Sequence, residues 1–262
     1  MEILLAVGIV TAIGVAAGIG LSFASEVMAV PVDEKAAEIA AILPGANCGS
    51  CGFSGCAAYA EAISKGEAQP GLCTPGGEAV AAKLSELLGV EVSAKKKFAF
   101  VHCHGRRVED KLDYKGVATC AAAQMFYGGP GSCGFGCIGF GDCAAACEYG
   151  AVTVVDGVAS VDREKCTGCG KCVKACPKGI ITLVSPKKKR IAAVGCSNHQ
   201  FGKAVRAVCP DGCIGCRLCT KECKLDAIDF VDNLPVINEE KCLGCGKCAA
   251  VCPNKVIEVI KL

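Results

Sequence analysis

The 262 residues predict an α+β chain: an N-terminal transmembrane helix, a small helical domain, and then a duplicated unit of short helices and strands. Three observations predict it. The first 25 residues are almost wholly apolar; 24 cysteines, about nine per cent of the chain and several times ordinary usage, fall in spaced runs; and the segments between those runs repeat. With 33 Gly, no Trp and 21% charged residues, the chain is neither a charged disordered tail nor a base-stacking nucleic-acid surface. A net charge of +2 calls for no polyanion partner.

The first element is the apolar N-terminus, taken as an anchor over residues 1–27. Ile3 to Ser25 carry no charged side chain, and as a helix at ~1.5 Å per residue they reach ~34 Å, enough to cross the hydrocarbon core. The rival is a cleaved secretory signal, for which Ser22-Phe23-Ala24 offers small residues. The run exceeds a normal signal core, however, and Glu2 stands where a basic residue is expected. Gly14, Gly18 and Ser22 fall on one face, where small residues let another helix in the membrane approach closely.

The helical domain is expected over residues 31–90. Asp33 caps a helix from Glu34 to Leu43 that Pro44 stops; Ala57 to Lys65 ends at Gly66, and Glu78 to Leu88 ends at Gly89. Between them lie Cys48-x2-Cys51-x4-Cys56 and, further on, Cys73. Four thiols this compactly spaced suit one four-iron cluster or a zinc ion.

The duplicated part is read from its cysteine runs. Cys166, Cys169, Cys172, Cys176-Pro177 and Cys242, Cys245, Cys248, Cys252-Pro253 both match the bacterial ferredoxin run C-x2-C-x2-C-x3-C-P. Cys213, Cys216, Cys219 and Cys223 form a third copy, and Cys133, Cys137, Cys143 and Cys147 a fourth, stretched one. The interval from Cys147 to Cys166 equals that from Cys223 to Cys242, and each is crossed by an alternating segment that turns at Asp156-Gly157 or Asp232-Asn233, a hairpin signal. Thus two bacterial-type two-cluster ferredoxin domains are expected, over 129–186 and 209–262. In such a domain the fourth cysteine of each run serves the other cluster. The expected [4Fe-4S] ligand sets are therefore Cys133, Cys137, Cys143 and Cys176; Cys166, Cys169, Cys172 and Cys147; Cys213, Cys216, Cys219 and Cys252; and Cys242, Cys245, Cys248 and Cys223. Zinc would use two knuckles per ion and would not need four such cysteines per run.

Four cysteines remain: Cys103 and Cys120 in a segment over 98–128, Cys196 in a connecting segment over 187–208, and Cys209. They are expected to bind a sixth cluster beside the five above, with buried inert thiols as the alternative. His102, His104 and His199 lie near these thiols in sequence and are read as solvent-facing. Gly134-Phe-Gly136-Cys-Ile-Gly139 matches a dinucleotide fingerprint but sits inside a cysteine run without the flanking strand and helix, so no direct NAD binding and no catalytic residue is expected in this chain. Six clusters at about −2 each would turn the net charge to roughly −10, so docking an acidic partner would call on Lys95-Lys96-Lys97 or Lys187-Lys188-Lys189-Arg190, the alternative being that both are solvated linker turns.

An anchor, then N-C-G-x-C-G-x-x-G-C-x-x-Y-A over Asn47 to Ala60 with the distant Cys73, then ferredoxin runs, resembles the B subunit of the Rnf complex over essentially the whole chain. The resemblance implies an iron-sulfur electron-transfer subunit of a membrane ferredoxin:NAD oxidoreductase that exports sodium ions or protons. Soluble ferredoxin is its implied donor, and the membrane subunits of the same complex its partners. With two ferredoxin pairs rather than one, the chain is similar to the longer members. A cytoplasmic position of the cluster domains is expected because thiols stay reduced there. The alternatives are an anchored polyferredoxin serving a hydrogenase or other reductase, and a non-redox zinc scaffold.

Overall fold

The computed structural model describes residues 2–27, 33–94, 96–104, 108–185 and 188–261. Helix α1 (Glu2–Val27) is uninterrupted, and its segment Val7–Ala24 has a mean hydropathy of 2.0 with nothing packed over it. It is long and apolar enough to cross a membrane. Gly14 and Gly18 open onto free space on its surface.

Three helices follow: α2 (Glu34–Ile42), α3 (Cys56–Ser64) and α4 (Gly77–Leu88). Asp33 caps α2, its carboxylate accepting the Ala36 N–H at 3.2 Å. Gly89 ends α4 in the left-handed conformation that a residue without a Cβ adopts freely. Ile39, Leu43, Tyr59, Ala60, Ile63 and Leu84 form the core. Tyr59 is buried among them, donating its hydroxyl to Gln69 O at 2.9 Å and accepting the Leu72 N–H at 3.0 Å. It thereby pins the chain just before Cys73 to the helix that begins at Cys56.

The rest is built twice. The first unit runs β1 (Phe98–Val101), α5 (Cys120–Gln124), α6 (Asp142–Ala145), β2 (Val152–Val155), β3 (Val158–Val161), α7 (Lys171–Ala175) and β4 (Ile181–Val184). The second runs β5 (Arg190–Val194), α8 (Gly202–Val208), α9 (Leu218–Glu222), β6 (Ile228–Val231), β7 (Leu234–Ile237), α10 (Lys247–Ala250) and β8 (Ile257–Lys261). In each, a hairpin pairs the middle strands and the first strand pairs antiparallel with the last, β1 with β4 and β5 with β8. The hairpins turn at Asp156-Gly157 and Asp232-Asn233, all four residues at positive φ, as the right-handed twist of the strands requires. Strands β1 and β5 fall in stretches that the cysteine spacing alone places outside the ferredoxin domains. They are short apolar runs without turn residues, and only pairing with a distant partner makes them strands.

The two outer sheets share one core: Phe98, Phe100 and Val184 of the first pack with Ile191, Ala193 and Ile260 of the second. His102 stitches the same joint, one ring nitrogen 2.8 Å from Val194 O and the other 2.8 Å from Thr182 Oγ1. It is a structural hydrogen-bonding residue rather than the solvent-facing histidine expected.

Candidate iron-sulfur sites

All 24 cysteines are free thiols, and they gather in fours. In the helical domain burial raises the Cys73 thiol, and Cys56, Cys51 and Cys48 around it add to the rise. In the first unit Cys172 is pushed up to about 11 by burial and by Cys166, Cys169 and Cys147. In the second, Cys213, Cys216, Cys219 and Cys252 line one cavity, and Cys223, Cys242, Cys245 and Cys248 line another. Each of these groups is one that the spacing leads one to expect, and in the two ferredoxin-like units the fourth cysteine of one run is turned towards the other run's three.

The remaining set of the first unit differs from expectation. The cavity there is lined by Cys120, Cys137, Cys143 and Cys176, without Cys133. Cys143 is pushed up to about 12 by burial first and then by Cys137, Cys120 and Cys176. The cause is local. In Cys137-Ile-Gly-Phe140-Gly-Asp-Cys143 a phenylalanine stands where Cys213-Ile-Gly-Cys216-Arg-Leu-Cys219 has its second cysteine. Cys120 comes in from α5, whose first turn is held by the Asp142 carboxylate accepting the N–H groups of Cys120 at 2.8 Å and Ala121 at 3.0 Å. Around this cavity Cys120 stands in the place that the stretched run was expected to fill with Cys133. Aligning the two units on Cys137 and Cys213 would have revealed it.

Cys133, released from that set, joins Cys103, Cys196 and Cys209. Burial pushes Cys103 up to about 12, with Cys133 and Cys209 among the thiols that add to it, and burial raises Cys209 with Cys133 and Cys196 beside it. Here the first unit supplies Cys103 and Cys133, and the second supplies Cys196 and Cys209 from corresponding places: after β1 and β5, and four residues before Cys137 and Cys213. The backbone repeats the correspondence. Cys137 donates its N–H to Cys103 Sγ at 3.5 Å, and Cys213 donates to Cys196 Sγ at 3.3 Å. Close approach of the two units explains Gly195, where a Cβ would meet the His104 Cβ at 2.7 Å.

The helical domain touches the first unit at one of its cysteine loops. Ser50 Oγ and Thr74 Oγ1, 2.7 Å apart, lie 3.0 and 3.3 Å from Gly168 O, and Lys174 Nζ donates to Cys48 O at 3.2 Å. Tyr149 stands near both Cys48 and Cys169; burial raises its phenol and those thiols add to the shift.

Of the basic candidates, Lys95 and Lys187 lie outside the described residues. Lys188 is tied to the cysteine loop of the second unit, donating to Glu240 O and Cys242 O at 2.8 and 2.9 Å. His199 is 3.0 Å from Asp232 O, again a backbone partner.

Among the described residues no group of three or more Cys, His, Asp or Glu side chains is disposed to hold a single metal ion. Zinc would draw four sulfurs to ~2.3 Å from one centre, whereas three of these quartets line cavities whose other walls are mainly apolar. An all-sulfur donor set of four cysteines fits a cubane.

Fold and sites together define an iron-sulfur electron carrier of the ferredoxin type, with several four-cysteine sites behind an apolar helix. Family models agree in kind: an Fe-S cluster family matches residues 43–75, a 4Fe-4S binding domain 159–182 and a 4Fe-4S dicluster domain 212–256. The chain is 43% identical over 257 residues to the B subunit of the ion-translocating oxidoreductase complex of Methanosarcina acetivorans, covering 97% of each. It is 42% identical over 259 residues to the B subunit of the Na(+)-translocating ferredoxin:NAD(+) oxidoreductase complex of Acetobacterium woodii, covering 97% of this chain and 77% of that one. It is 37% identical over 259 residues to the proton-translocating counterpart of Clostridium ljungdahlii, covering 96% and 90%. The chain belongs to this family, the B subunits of the Rnf-type ion-translocating oxidoreductase complexes, and is the iron-sulfur electron-transfer component of such a complex.

Proposed function

We propose that the chain carries six [4Fe-4S] clusters in a fixed order and conducts electrons from reduced ferredoxin to the membrane subunits of a ferredoxin:NAD oxidoreductase. The bound clusters would supply one-electron redox chemistry; the chain's own residues supply order, burial and insulation from water. The observation that carries the reading is an unbroken line of contacts between sites. The second unit holds two sites, and Cys216 and Cys245 in them are its exposed thiols, which suits electron uptake from a soluble donor. The Cys213 amide on Cys196 and the Cys137 amide on Cys103 join the bridging quartet to both units. From Cys120, Cys137, Cys143 and Cys176 the line passes, through the core in which Cys137, Cys143 and Cys176 pack with Cys147, Cys166 and Cys172, to the second quartet of that unit, then across Gly168 to Cys48, Cys51, Cys56 and Cys73.

On this reading the two ferredoxin-like units span about 98–184 and 190–261, each being a duplicated two-cluster domain, and the bridging quartet belongs to both. Helix α1 spans the membrane once, leaving the sites on the cytoplasmic side, where thiols and iron can be assembled. The relatives' names include both sodium and proton translocation, so the coupling ion is a property of the complex.

The test is anaerobic purification with the partner subunits, followed by stopped-flow reduction with ferredoxin and freeze-quench electron paramagnetic resonance. Signals of the second unit should appear before that of the helical domain. Reduction of the helical domain first would reverse the proposed direction.

A further inference from the structure

A cluster held by Cys103, Cys133, Cys196 and Cys209 leaves one polar side chain beside it unused. Asn198 is 2% exposed, and polar groups that deep persist where hydrogen bonds satisfy them. Its Nδ2 lies 3.6 Å from Cys133 Sγ, and its Oδ1 accepts the Gln200 N–H at 2.9 Å. The second bond fixes the first: with the carbonyl oxygen occupied by a backbone donor, the NH2 end faces the sulfur. Neighbours hold the segment in place. Ser197 Oγ donates to Phe135 O at 2.9 Å, and the His199 ring stands edge-on to Phe135 at 5.8 Å. Residues 197–199 of the second unit are thus fastened to the 133–135 loop of the first.

The other donors to this quartet, on Cys103 and Cys196, are backbone amides. Asn198 contributes from a side chain, across the boundary between units, and breaks their symmetry: two residues after Cys103 the sequence has Gly105, which has no side chain to do the same.

We infer that Asn198 is a redox-tuning residue of the bridging site. By donating to the Cys133 sulfur it draws charge from that ligand and raises the reduction potential of the cluster held there. The junction between the units then holds an electron readily instead of standing as a barrier between them. Asn198 acts through Cys133 and is a positioning residue, and the inference rests on the bridging quartet binding a cluster.

The test uses N198S in the full-length, anaerobically purified protein. Serine keeps a short oxygen for the Gln200 N–H in the same turn but cannot reach the sulfur. Iron content should be unchanged at about 24 per chain, and in a potentiometric titration followed by electron paramagnetic resonance one midpoint should move to more negative potential while the others stay. Full iron with every midpoint unmoved overturns the inference, as does loss of four irons, which would make Asn198 an assembly residue. Should N198S aggregate, 15N-asparagine labelling of the unaltered protein provides a second readout: nitrogen coupling on the bridging signal supports the hydrogen bond, and its absence overturns it. About 20 irons in the unaltered protein would remove the underlying reading and the inference together.

Discussion

Asp142 accepts the Cys120 backbone N–H at 2.8 Å, and that contact sets a cysteine from a separate helix against a loop whose own second cysteine is Phe140. C120S should therefore abolish the same signal as C143S, and C133S a different one. F140C in the C120S background completes Cys137-x2-Cys-x2-Cys143 and should restore the four lost irons. Iron analysis and electron paramagnetic resonance of these variants decide it; no recovery in the double variant would show that Cys120 is not the substitute.

The contact of Ser50 and Thr74 with Gly168 O is the joint between the helical domain and the array. Gly168, at φ +68 with Lys97 O only 2.6 Å from where a Cβ would be, cannot easily move or be replaced. In S50A/T74V each lost hydrogen bond costs about 1 kcal/mol. Hydrogen exchange should rise at 48–52 and 166–170 and electron delivery to the helical domain should slow, with iron content unchanged. Unaltered exchange would show that the joint does not depend on these hydroxyls.

Tyr59 holds the Cys73 loop by two hydrogen bonds from one hydroxyl. Y59F leaves Gln69 O and the Leu72 N–H without it, a cost of roughly 1 to 3 kcal/mol. The helical domain's melting transition should fall, and its signal should be lost first in air. A variant with the unaltered transition would contradict the role.

Asp162 and Asn238 are the same turn in the two units: each side chain accepts two N–H groups, from Glu164 and Lys165 or from Glu240 and Lys241. The Lys165 and Glu164 amides hold the Asp162 carboxyl below its usual range. A carboxyl with a depressed folded pKa stabilises above its unfolded value, about 3.9, and that contribution is lost as pH falls through the folded one. Acidification below about pH 4 should loosen the turn before Cys166 and spare the one before Cys242. D162N should remove the difference, as hydrogen exchange of the two peptides would show; equal acid sensitivity in the unaltered protein would refute it.

Much of this was legible because ligation imposes spacing. The run ending in Cys176-Pro177 and the Asp156-Gly157 turn each carry their geometry in a few adjacent residues, as does the capping of α2 by Asp33. What escaped depends on distant parts meeting. Strands β1 and β5 exist through partners at the far end of each unit, and Cys120 lies outside every run because the cavity it lines is completed across an intervening loop. The bridging quartet draws half its members from each copy, so neither run displays it alone. His102 has no local partner in sequence; only the packing of β5 beside β4 brings Val194 O within its reach.

Six quartets of thiols are proposed to hold metal-sulfur cubanes. Iron, zinc and acid-labile sulfide determined on the full-length protein purified without air test this most directly. Six cubanes require about 24 irons and an equal amount of sulfide per chain. Zinc in place of iron, or a protein containing neither iron nor sulfide, would contradict it.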